Sequence, residues 1–263
     1  KINKKDKKNK GDFIMIKVAV CGAMGRMGKE VCAAVNADSE MELVAQIDIA
    51  GDNFKSIEEA HKACDIDVLV DFTQPASIYE NAKYCLNNGI KIVIGTTGLK
   101  DEEIEHLKKL STENKTGCLI APNFSTGAVL MMMFAQMAAK YFDNAEIIEY
   151  HHNQKKDAPS GTAIKTALMM SEAKDSFKGG NCPEKETIEG SRGGTSYSDI
   201  QIHSIRMPGF MASQEVLFGS FGQTLSIRHD STDRKCYMPG VVMAVKHVFD
   251  KNDFVYGLEN IMM

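Results

Sequence analysis

The stretch KVAVCGAMGRMGKE, residues 17–30, carries the reading on which the rest depends. A short apolar run ends at Gly22, further glycines follow at Gly25 and Gly28, and a helical pattern then runs over 25–35. A turn this tight needs glycine, and the backbone N–H groups that open the following helix form a seat for a pyrophosphate. The spacing is GxxGxxG rather than GxGxxG, so alone it fits a structural turn almost as well. The next apolar run, LVAQID (43–48), ends on Asp48, twenty residues beyond Gly28. An acid at that place accepts hydrogen bonds from an adenosine ribose 2′-hydroxyl. Strand, glycines, helix, strand and acid in that order predict a dinucleotide site. Asp48 repels a 2′-phosphate and Ile49, Ala50 and Gly51 offer no arginine to hold one, so NADH is expected to be preferred, with NADPH possible.

The pattern continues outward from this site. Residues 14–20, 43–48, 68–72, 90–95 and 117–121 read as short buried strands, with charged helical stretches such as 101–111 between them. Apolar strands alternating with helices predict a parallel sheet covered on both faces. DFTQP (71–75), IGTTG (94–98) and APNFS (121–125) end such strands, where ligands sit in open α/β sheets. Beyond Asn123 the character changes. Ser125 is placed to cap a helix whose apolar positions Val129, Leu130, Met133, Phe134, Met137 and Tyr141 predict its core face. A strand over 146–151, a helix over 160–174 and strands over 197–207, 214–219 and 224–229 predict a mainly antiparallel second domain, followed by a helix over 240–249. The expected division is a basic tail (1–12), a dinucleotide-binding domain (13–124 and 234–263) and a substrate-binding and oligomerisation domain (125–233).

Composition narrows the function classes. With 43% hydrophobic and 25% charged residues over 263 positions, the chain has ordinary globular usage, which excludes collagen-like and disordered classes. Its longest apolar run, residues 128–135, falls far short of the ~20 residues of a membrane span, and no signal peptide is expected. Six lysines and two aspartates in residues 1–12 make a solvated tail of charge +4, so residues 13–263 carry −8 of charge against a net −4 for the whole chain, which argues against a nucleic-acid surface. Seven cysteines without a CxxC pair predict reduced thiols in a cytoplasmic protein, and no metal is expected.

The densest chemistry lies in EYHHNQKKDAPSGTA, residues 149–163. Ser160 is a natural N-cap, and Gly161 and Thr162 offer first-turn N–H groups to an anion. Lys155 or Lys156 adds positive charge, and His151 or His152 can transfer a proton near neutral pH. Together these predict a site for an anionic substrate rather than a strand end that happens to carry two histidines.

GAMGRMG, DFTQP, IGTTG, APNFS and HHNQKKDAPSGTA resemble, in type and order, the motifs of the dihydrodipicolinate (4-hydroxy-tetrahydrodipicolinate) reductase family. GSRGGT (190–195) and SIRHDSTDR (226–234) extend the resemblance. It implies a homotetramer of subunits that each pair a Rossmann domain with a mixed-sheet substrate domain. It also implies hydride transfer from a nicotinamide to C4 of a cyclic imine dicarboxylate, with loss of water, in lysine and diaminopimelate biosynthesis. Carried over by motif, His151 matches the general acid and Lys155 its catalytic partner. His152, Ser160, Gly161 and Thr162 match substrate contacts. Gly22, Ala23, Met24, Gly25, Arg26, Met27, Asp48, Gly95, Thr96, Thr97, Pro122, Asn123 and Phe124 match the cofactor side. Family members that use NADPH often place arginine where Ile49 and Gln74 stand here, which sharpens the expected NADH preference. RMPGFMASQE (206–215) departs from the family pattern. The competing readings are a reductase of the same plan acting on another imino or amino acid, and a non-catalytic NADH sensor.

Overall fold

The structure, a computed structural model, describes residues 15–177, 183 and 185–262. The basic tail and Cys182 therefore lie outside the described residues. The first part of the chain alternates β1 (Ile16–Cys21), α1 (Arg26–Ala37), β2 (Met41–Ile47), α2 (Ile57–Ala63), β3 (Val68–Asp71), α3 (Pro75–Asn87), β4 (Lys91–Ile94), α4 (Asp101–Asn114) and β5 (Cys118–Ile120). There follow α5 (Thr126–Ala139), β6 (Asn144–His151), α6 (Gly161–Ala173), β7 (Gly194–Thr195), β8 (Gln201–Arg206), β9 (Ala212–Ser220), β10 (Gln223–Ser231), α7 (Met238–Asp250) and β11 (Phe254–Tyr256). By internal contact the chain forms two compact units. One runs up to Cys118 and includes Val245–Phe254; the other comprises Leu119–Ala244 and the chain from Val255 onward.

A six-stranded sheet has the order β11-β5-β4-β3-β1-β2, and β1 pairs in parallel with both β2 and β3, as β3 does with β4. Val18, Ala19 and Val20 are fully buried, as are Val68 to Val70, which is why these strands read as unbroken apolar runs. The strand order reverses between β1 and β3, so the loops leaving their carboxyl ends lie side by side and open a crevice there.

The second sheet has the order β10-β9-β6-β8-β7. It is mixed: β6 runs parallel to β8, joined through the α6 crossover, and antiparallel to β9. Its core gathers Ala145 and Ile147 of β6, Ile202 of β8, Val216 and Phe218 of β9, and the small residues Ala135, Ala139, Ala163 and Ala167 of α5 and α6.

Two expectations need correction. Within 197–207 only Gln201–Arg206 is strand, because Tyr197–Asp199 forms a 3-10 turn with Ser198 and Asp199 at positive φ. The α5 core face is also not the predicted one. Ala128, Val129, Met131, Met132, Ala135 and Ala139 are buried, whereas Phe134, Met137 and Tyr141 are half or more exposed. The helix is apolar nearly all round, so periodicity in the sequence could not choose its inward side. The small alanines allow α5 to lie close to α6, and that decides it.

Candidate active site

Two sites take shape, one in each unit. In the first unit, Gly22 leaves β1 at φ +79° and lies against the loop after β3, where a Cβ would come 2.4 Å from the Phe72 carbonyl oxygen. Gly28, one turn into α1, packs on the same bend: a Cβ there would come 2.0 Å from the Gly22 carbonyl oxygen. Gly25 caps α1 without a side-chain hydrogen bond, so the amides of the first turn face outward for an anion. Asp48 follows β2 directly and accepts from the backbone N–H of Met24 and of Ala50, each at 2.9 Å. One carboxylate thereby ties the glycine loop to the end of β2.

Around this loop lie two adjoining clefts of about 590 and 550 Å³, within the ~300–1,000 Å³ usual for small-molecule sites. The first is lined by Gly22, Met24, Gly25, Asp48, Ile49 and Lys55 among others. Arg26, Met27, Gly95, Thr96 and Thr97 line the second, and Met24, Gly25, Phe72, Thr73 and Gln74 are shared by both. A two-part groove ending on a carboxylate, with a turn that only glycine can make, fits a dinucleotide. The second part is organised by Asp71, fully buried at the end of β3. Its carboxylate accepts from the Thr73 amide (2.9 Å), the Thr73 and Thr96 hydroxyls (2.7 Å each) and the Asn81 amide group (2.8 Å). These bonds hold the DFTQP and IGTTG loops together. Ala23 is buried behind the turn, its N–H bonded to the Ile47 carbonyl, and does not line either cleft.

The second unit holds a cleft lined by Asn123, Ser125, His151, Ser160, Thr162, Ser213, Gln214, His229, Ser231 and Tyr237 among others. Along β6 the side chains alternate, and Ala145, Ile147 and Glu149 share the buried face. His151 follows in the same register at the strand end. The Glu149 side chain is fully buried, and its carboxylate lies 2.5 Å from His151 Nδ1. Arg206 of β8 grips it with two N–H groups, at 2.9 and 2.8 Å, and the Ser160 amide adds a bond at 3.2 Å. Burial pushes this carboxyl up, but the hydrogen bonds from His151, Arg206 and Ser204 outweigh it and bring it down to about 2, so Glu149 is a carboxylate. With Nδ1 engaged, the other ring nitrogen of His151 is the one left for chemistry in the cleft.

Ser160 caps α6, accepting from the Ala163 amide, so Gly161 and Thr162 supply the first amides of that helix. Thr162 Oγ1 accepts from the Asn123 side chain at 3.3 Å. Opposite stands His229, with Nε2 3.3 Å from the Ser125 hydroxyl; burial pushes its imidazole below the ordinary value, with Asp230 acting the other way. Not every expected residue lines this cleft. The Lys155 ammonium pairs with Asp157 at 2.7 Å, and His152 is exposed, its Nδ1 accepting from the Gln154 amide. Asn123 belongs to the His151 cleft; neither Pro122 nor Phe124 lines a described cleft, Pro122 being exposed and Phe124 buried.

The N-terminal model of dihydrodipicolinate reductase matches residues 16–124, and its C-terminal model matches residues 127–262. The chain belongs to the dihydrodipicolinate reductase family. The 4-hydroxy-tetrahydrodipicolinate reductase of Syntrophomonas wolfei is 47% identical over 262 residues, covering 94% of this chain and 98% of that protein. That of Geobacillus kaustophilus is 48% identical, covering 94% and 99%. The solved structure of a dipicolinate-bound dihydrodipicolinate reductase from Paenisporosarcina sp. TG-14 is 45% identical, with a TM-score of 0.88, covering 94% of this chain and all of that one. The protein is thus a reductase that uses a nicotinamide cofactor. Glu149, Arg206, Gln214, His229 and Lys55 were not singled out from the sequence. For Glu149 a signal existed: a charged residue in the inward register of a strand.

Proposed function

We propose that this reductase converts 4-hydroxy-tetrahydrodipicolinate to tetrahydrodipicolinate in lysine and diaminopimelate biosynthesis. The observation that carries the reading is His151, held at Nδ1 by a buried carboxylate and lining one cleft with the first turn of α6. Loss of the 4-hydroxyl with a hydrogen from the adjacent ring carbon, as water, leaves a double bond conjugated with the imine, and a bound nicotinamide would supply a hydride to C4 of that ring. His151 would then deliver a proton from Nε2 to the electron pair that hydride addition leaves on the ring. Substrate, NAD(P)H and one proton thus give product, NAD(P)⁺ and water. The amides of Gly161 and Thr162, the Thr162 hydroxyl and the Ser160 cap receive a substrate carboxylate at the positive end of α6. Lys155 takes a carboxylate by exchanging Asp157 for it, and His152 is a further substrate contact on this reading.

On the cofactor side, Gly22, Met24, Gly25, Arg26 and Met27 seat the pyrophosphate and Asp48 the ribose, while Ala23 holds the turn from behind. Gly95, Thr96 and Thr97, which line the second cleft, take the nicotinamide end. NADH is the preferred cofactor because a carboxylate occupies the ribose end of the cleft. Lys55, on the same wall and donating to the Gly51 carbonyl, is the cation that lets NADPH be accepted. A homotetramer assembled through the second sheet is supported by the exposed face of the edge strand β10, with Leu225 on it and the fully exposed Phe221 beside it. The described cysteines are all free thiols, which supports a cytoplasmic location. No helix among the described residues is long and apolar enough to cross a membrane.

Dipicolinate, the planar dicarboxylate named with the Paenisporosarcina structure, tests the anion site. It is expected to inhibit competitively against substrate, and Lys155→Ala is expected to weaken it by about tenfold, the value of one charge-assisted hydrogen bond. Inhibition that is non-competitive, or unchanged in Lys155→Ala, argues against this assignment of the carboxylate contacts.

A further inference from the structure

We infer that Glu149 is a positioning residue for the reduction: its carboxylate dictates which ring nitrogen of His151 keeps its proton and holds that ring in register with the first turn of α6. The inference rests on His151 being the proton donor. Its starting point is a charge where the fold asks for none. Ala145 and Ile147 precede Glu149 on the inward face of β6, and an apolar residue at 149 would continue their packing. Burying an ion pair in place of apolar side chains is at best neutral for stability, so packing does not account for a carboxylate here.

The carboxylate's bonds do account for it. One oxygen meets His151 Nδ1 at 2.5 Å and an Arg206 N–H at 2.9 Å; the other meets the second Arg206 N–H at 2.8 Å and the Ser160 amide at 3.2 Å. Arg206 stands directly opposite His151 in the parallel β6–β8 register, so the guanidinium reaches Glu149 from the neighbouring strand. Arg206 also donates to the Asp157 carbonyl at 2.7 Å, which fixes the segment leading into α6. The same carboxylate therefore touches the proposed acid and the cap of the helix that receives the substrate anion. Acid and substrate are aligned by one group, and a misplacement of about 1 Å in such an arrangement costs on the order of 10²-fold in rate.

Glu149→Gln tests this in the full-length protein, because glutamine keeps the shape but can donate or accept and so no longer dictates the tautomer. The expected result is a kcat at least ~10²-fold lower, since the equivalent carboxylate-to-amide change beside a serine protease's catalytic histidine costs ~10⁴. KM and the NADH dissociation constant should stay within about threefold, and Glu149→Asp should recover part of the rate. ¹⁵N NMR of histidine-labelled protein, with His151 assigned by comparison with His151→Ala, supplies the second readout. The neutral ring is expected to carry its proton on Nδ1 in the wild type and to be a tautomer mixture in Glu149→Gln. If Glu149→Gln does not fold, the wild-type tautomer still decides: a proton on Nε2 with Nδ1 bare overturns the inference. So does a kcat per folded molecule near wild type in Glu149→Gln while His151→Ala has lost turnover. Full turnover in His151→Ala overturns the proton-donor reading instead.

Discussion

His151→Ala is expected to lower kcat by ~10²–10⁴-fold, the range supplied by a positioned general acid, while NADH affinity stays within about twofold. The split follows from where the residue sits. His151 lies at the end of β6 in the second unit and lines the cleft of Ser160 and Thr162, whereas the glycine loop and Asp48 line clefts in the first. Removing the imidazole leaves the hydride source bound and takes away the group that protonates the reduced ring. It also leaves Glu149 with its bonds from Arg206, Ser204 and the Ser160 amide, so the buried charge remains paired and the fold is expected to survive. Stopped-flow kinetics and NADH fluorescence titration on the same preparation check both halves. Equal losses of turnover and NADH affinity would assign His151 a structural role.

The second large effect is expected from Gly28→Ala, which adds a single methyl group. That carbon would stand 2.0 Å from the Gly22 carbonyl oxygen, 2.7 Å from the Gly22 carbonyl carbon and 2.8 Å from Ala23 Cα. All three are backbone atoms, so no side chain can swing away to make room. Either α1 moves off β1 or the turn at Gly22 opens, and the seat for the pyrophosphate changes in both cases. NADH binding is expected to weaken by ten- to a hundredfold, and stability to fall by about 1–3 kcal/mol as in other overpacked sites. Calorimetry and fluorescence titration read the two terms separately. Wild-type NADH affinity in Gly28→Ala would show that the helix start is not where the cofactor's phosphates sit.

How far the sequence could be read depended on how local each feature is. The strands of the first sheet were legible because burial on both faces leaves apolar runs such as 18–20 and 68–70, and the glycine loop because its residues are contiguous. Ser125 and Ser160 were legible as caps because a cap is a one-turn interaction. The inward face of α5 was not, since methionines and alanines surround the helix and only its contact with α6 selects a side. His229 enters the His151 cleft from β10, more than seventy residues beyond β6, and Arg206 reaches Glu149 through a parallel pairing that spacing does not disclose. Lys55 stands seven residues beyond Asp48, and only the folded cleft wall, which includes the loop up to α2, brings its ammonium to the site.

The central claim, reduction of a cyclic imine dicarboxylate at the expense of a nicotinamide, is tested most directly by following NADH and NADPH oxidation with substrate made in place. Aspartate semialdehyde, pyruvate and the synthase that condenses them supply 4-hydroxy-tetrahydrodipicolinate. The account predicts oxidation that requires the synthase, a higher kcat/KM with NADH than with NADPH, and abolition of the signal in His151→Ala. A folded protein that binds NADH yet oxidises neither cofactor when the synthase is present would contradict it.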